Sequence, residues 1–116
     1  MFNIFGPSRR YNPPWQAPMA SPTTRWDEEA AVERIEKLAR RSRRPWKVYN
    51  DAFLVSYAED SNNVEDYALP VADVRGGKLV IIPEALEAAE DALEDLDERA
   101  QYQAKYMLRE IRARSL

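Results

Sequence analysis

Histidine and cysteine are both missing from the 116 residues of this chain, and glycine occurs only three times. Each absence excludes chemistry. Without His or Cys there is no Ser-His-Asp or Cys-His site, no zinc finger, no CxxC redox pair and no disulfide framework. A chain without cysteine fits any redox compartment, so that absence does not locate it. Long apolar runs are lacking as well, and one such as residues 79–82 is far too short to span a bilayer. The opening MFNIFGPSRRYNPPW has no charged start followed by a long apolar stretch, so no signal peptide is expected. These absences predict a soluble protein made in the cytoplasm.

What remains is a chain of globular type, 45% hydrophobic and 32% charged, of a length that suits one domain. Its 17 basic and 20 acidic side chains give a formal net charge of only −3, but they are strongly segregated. Residues 1–24 form a block of their own. Five of the eight prolines lie there (Pro7, Pro13, Pro14, Pro18 and Pro22), together with Arg9 and Arg10 and no acidic residue. Proline fixes φ and removes a donor, so neither a helix nor a central strand runs through such a block. Phe2, Ile4, Phe5, Tyr11, Trp15 and Met19 are large apolar anchors that flexible linkers lack. An extended segment carrying spaced aromatics is ordered most easily in the grooves of another surface. The block therefore reads as a Pro-rich docking arm, ahead of a small α+β domain over residues 25–116.

A first helix is predicted over residues 25–43. Thr24 would cap it, with Asp27 completing a capping box, and Ala31, Ile35 and Leu38 forming one apolar stripe. Four arginines close the pattern, and Pro45 reads as its stop. Residues 52–57 have strand composition, and residues 59–66 read as an acidic loop. Residues 68–71 and 78–82 flank the stretch 73–77, where Gly76-Gly77 supplies positive φ, so the expectation is a short antiparallel hairpin. Pro70 argues that its strand lies at an edge or begins late. Pro83 suits the first turn of a last helix, and neither Gly nor Pro follows to the end. One long C-terminal helix of about 30 residues would measure roughly 45 Å. Such a helix either breaks near Asp97 or packs its far half on something outside the domain.

Two charged clusters carry what chemistry there is. The carboxylates at residues 84, 87, 90, 91, 94, 95, 97 and 98 would need two members facing a cleft to act as a hydrolase pair. Most fall instead on the outer face of an amphipathic helix, where a solvated acidic surface is the ordinary outcome. No spaced oxygen ligands with a central glycine resemble a calcium loop, so no metal, cofactor or catalytic residue is assigned. The basic cluster Lys37, Arg40, Arg41, Arg43, Arg44 and Lys47 surrounds Trp46, which suits nucleic acid. Against that reading, the acidic helix would repel phosphate, and attraction between the two clusters, within one subunit or between neighbours, explains both. Arg41, Arg44 and Trp46 thus join Phe2, Phe5, Arg9, Arg10, Tyr11 and Trp15 as partner-binding candidates.

The runs WDEEAAVERIEKLA and YNDAFLVSYAEDSNNVEDYALPVADVRGGKLVIIPEALEAAEDAL resemble a small segment of tailed-bacteriophage head-morphogenesis proteins, found beside or fused to Mu-like prohead proteases. The residues that carry the likeness are Tyr67, Leu69, Pro70, Ala72, Asp73, Val74, Gly77, Lys78, Leu79, Pro83, Ala85, Ala88 and Ala89. It covers residues 26–93 and leaves the arm and the last helix unexplained. The resemblance implies a virion or head-assembly context, located in the virion and in the host cytoplasm during assembly. It brings no enzyme activity, because the protease's nucleophile and histidine lie outside the segment and this chain has no histidine. The expectation is a capsid-associated cement, decoration or accessory protein that docks on neighbouring subunits, with homo-oligomer contacts through the C-terminal helix. Two alternatives stand beside it: a phage-encoded inhibitor of a host protein, and an accessory protein that binds nucleic acid through residues 40–47.

Overall fold

A computed structural model describes residues 17–114, which form an α+β fold of four helices and two short antiparallel sheets. Helix α1 (Glu28–Arg40) begins where Asp27 accepts the N–H of Ala30 at 3.1 Å. The expected span of 25–43 is therefore too long at both ends. Asp27, not Thr24, is the cap, and the helix closes at Arg41 with backbone bonds to Leu38 and Ala39. Ala31, Ile35 and Ala39 form its buried stripe.

Pro45 does not stop a helix but starts one. It occupies the first turn of α2 (Pro45–Ala52), a position where the missing proline N–H leaves no bond unmade. The chain passes directly from α2 into β1 (Phe53–Ser56), so the expected strand loses Ala52 to the helix and Tyr57 to the loop. The acidic loop ends in a 3-10 turn, Val64–Asp66, capped by the Asn63 side chain.

Strand pairing differs from the expected hairpin. Strand β2 (Tyr67–Pro70) pairs antiparallel with β1, placing Pro70 opposite Phe53 and Tyr67 opposite Ser56. Strand β3 (Ala72–Arg75) is the one that pairs with β4 (Lys78–Ile81), so Asp73 sits in a strand rather than a turn. Gly76 and Gly77 make the two-residue connection with φ of 59° and 76°, the pair of positive values that matches the twist of a tight hairpin. Leu69 also takes a left-handed φ of 60°, a strained conformation for a large side chain, immediately before Pro70.

The long C-terminal helix is broken. Helix α3 (Pro83–Asp91) gives way to a 3-10 turn at Leu93–Asp95, Leu96 is extended, and α4 (Glu98–Arg114) follows. Of the two outcomes open for a 45 Å helix, the break near Asp97 is the one realised. It returns α4 against β1, where Ala100, Ala104, Leu108 and Ile111 are buried. The amide of Ala100 donates to Asp97 Oδ1 at 2.8 Å, so the residue after the break caps the new helix.

These elements share one core. Tyr49, Phe53 and Tyr67 pack with ring centroids 5.2–6.2 Å apart, and Val71, Ile81, Ile82 and Leu86 continue the cluster towards α3. Of the N-terminal segment, Ala17, Ala20 and Trp26 pack against it. Residue Met19 bridges Ile81 in parallel, with the Ala20 N–H donating to Ile81 O and the Ile81 N–H to Pro18 O, both at 2.8 Å. Among the described residues, no helix is long and apolar enough to cross a membrane.

Candidate functional site

Phe2, Phe5, Arg9, Arg10, Tyr11 and Trp15, the arm candidates, lie outside the described residues. What the structure does place is the root of that arm. Pro18, Met19 and Ala20 lie along β4, and the Trp26 N–H donates to Glu84 Oε1 at 2.6 Å. Trp26 itself is half-buried against the core. Pro18 itself has no N–H to offer to β4.

Arg41 and Arg44 are exposed on the turn between α1 and α2. Ser42 shapes that turn by accepting the Arg44 N–H at 3.1 Å. Trp46 stands two residues on, half-buried, and its backbone N–H donates to Asn62 Oδ1 at 3.0 Å, tying α2 to the acidic loop. The three candidates thus share one end of the molecule, though Trp46 is less open than a base-stacking platform requires.

Within the chain, the basic and acidic clusters do not pair with each other. Among the described residues, Lys47 bridges Asp51 in its own helix at 3.5 Å, and Arg112 of α4 reaches Glu90 of α3 at 2.9 Å. Lys37, Arg40, Arg41, Arg43 and Arg44 are exposed and enter no ion pair there. Among the described residues, Glu28, Glu29, Val32, Glu33 and Glu36, all on α1, line an open pocket.

Two polar sites escaped the sequence reading. Arg34 forks onto Asp73, Nε to Oδ1 at 2.8 Å and a terminal nitrogen to Oδ2 at 2.9 Å, while the Val74 N–H adds a third bond at 2.7 Å. Asp73 is 4% exposed. Its burial opposes ionisation, but the Arg34 fork, the Val74 amide and nearby Arg75 prevail and hold the carboxyl below its ordinary value. An aspartate inside a β pattern runs against strand propensity, and that was the available signal. Its partner lies 39 residues away, beyond any local spacing.

The second is Asp51, whose Oδ1 is buried and without a hydrogen-bond partner. Burial pushes this carboxyl up to about 7, against the pull of Lys47. The Arg34–Asp73 fork reads as a structural joint between α1 and β3, whereas the ion-pair partner of Asp51, Lys47, lies in its own helix. In comparisons with known proteins, no family model, curated protein or solved structure matches this chain.

Proposed function

We propose that this chain is a structural component of a tailed-phage head, a cement, decoration or assembly accessory protein that docks on neighbouring subunits through its N-terminal arm. The observation that carries the reading is the root of the arm. Residues 18–20 are held on β4 by two backbone bonds, so the aromatic and basic residues before them are tethered to a folded body at a fixed place. The resemblance over residues 26–93 supplies the head-assembly context. In this reading Phe2, Phe5, Tyr11 and Trp15 fill apolar grooves on a shell subunit, and Arg9 and Arg10 pair with its acidic residues.

The test is to sediment purified particles and count this chain against the major shell protein by mass spectrometry. A fixed ratio that survives high salt, and that is lost when residues 1–16 are deleted, is the expected result. Absence from particles rejects the reading, and undiminished binding of the truncated chain rejects the arm. One observation favours a second reading, nucleic-acid binding: the exposed cations of residues 37–44 have no acidic partner among the described residues. That reading requires affinity that falls steeply with salt and disappears in Arg41→Glu/Arg44→Glu.

A further inference from the structure

Opposite the buried stripe of α1 lies a face that, among the described residues, no other element covers. At 100° per residue, Glu29, Glu33, Glu36, Lys37 and Arg40 fall within an arc of about 100°, turned away from Ala31, Ile35 and Ala39. Charge along this face changes sign once: acidic through Glu36, basic from Lys37 and on into the Arg41–Arg44 turn. The helix dipole accounts for acids in the first turn and bases in the last. It does not account for Glu33 and Glu36 in mid-helix, or for Arg43 and Arg44 beyond the end. Glu33 with Lys37 and Glu36 with Arg40 have the i,i+4 spacing for intrahelical pairs, yet neither pair closes to within 4 Å.

We infer that this face is the contact between two copies of the chain, packed α1 on α1, antiparallel, about a two-fold axis beside Glu36 and Lys37. In that register Glu36 faces Lys37 of the second copy and Glu33 faces its Arg40. Glu29 meets the turn that carries Arg43 and Arg44. The symmetry doubles each contact, as an isologous interface requires. The acidic residues Glu28, Glu29, Glu33 and Glu36, which line the open pocket on α1, receive the basic turn of the other copy. A parallel pairing in register would set like charges together. One helix face is a small interface, so the dimer is weak, and charge fixes its geometry more than its strength. The inference is independent of the head-assembly reading, since it needs no phage partner.

Sedimentation velocity on the full chain tests it. The wild-type chain dimerises at about 200 µM in low salt and dissociates near 0.5 M salt, where screening shortens to a few ångströms. Glu33→Lys and Arg40→Glu each weaken association about tenfold or more. The doubly substituted chain Glu33→Lys/Arg40→Glu keeps the wild-type net charge and recovers the dimer, because each new lysine meets a new glutamate across the axis. Circular dichroism shows whether these surface variants stay folded. A wild-type chain that remains monomeric in low salt overturns the inference and leaves the pocket to the Arg9–Arg10 segment or to another protein. A dimer indifferent to single reversals, or a double variant that stays monomeric while folded, overturns it equally.

Discussion

Asp51 and Asp73 are both withdrawn from water, and their surroundings drive them in opposite directions. Asp51 has one oxygen without a partner and a carboxyl raised to about 7. A raised folded-state value means that its contribution to stability is complete below the unfolded value near 3.8 and is lost as pH rises through 7. Asp51→Asn is therefore expected to flatten that part of the stability curve, making the protein more stable by about 2 kcal/mol at pH 8 and no more stable at pH 4. Urea denaturation at the two pH values measures the difference. Asp73 carries the opposite sign: its lowered value contributes stability above the unfolded value that is lost as pH falls through the folded one. Its partner Arg34 has a half-exposed side chain, so the two ends of the fork are unequal. Arg34→Ala strands a buried carboxylate and should cost about 3 kcal/mol, whereas Asp73→Asn leaves an arginine that can turn to water and should cost about 1–2 kcal/mol. Equal losses in thermal or urea unfolding would show that the fork does not work this way.

At the scale of elements, the break between α3 and α4 sets the architecture. An unbroken helix would carry Ala104, Leu108 and Ile111 away from the body, and the turn at residues 93–97 brings them back to β1. Asp97→Ala removes the side-chain acceptor of the Ala100 amide and should cost about 1 kcal/mol, with fraying confined to the first turn of α4 in hydrogen exchange. The break is also where legibility in sequence ran out. No Gly or Pro marks it, and the apolar spacing runs through it without interruption, so only the demand to bury the far half argues for a bend. Pro45 misled for a related reason: proline ends helices and begins them, and its neighbours decide which. In the central strands, a single residue, Val71, separates β2 from β3. Composition therefore ends a strand at Val71, takes most of β3 for the turn and assigns β4 the wrong partner. By contrast, Gly76-Gly77, Pro83 and the Ala31–Ile35 stripe were legible because local geometry alone demands them. At the candidate site, the basic turn was visible as composition, but the Arg34–Asp73 fork, which depends on pairing across the fold, was not.

For the whole molecule, the N-terminal segment divides at Pro18. Deleting residues 1–16 spares the two backbone bonds to Ile81 and should leave the melting temperature within a few degrees of the full chain. Deleting residues 1–24 removes both bonds and bares the β4 edge, so that truncation should lower the melting temperature and promote aggregation in calorimetry and light scattering. The joint at Ile81 also sets an order of events. Trp26 and Glu84 meet across 58 residues of sequence, and α1 is fastened to β3 across 39. A ribosome releases residues 18–40 well before their docking sites on β3, β4 and α3 emerge. These residues thus wait for the elements that receive them, and the exposed cations of α1 are open to chaperones or early partners throughout that interval.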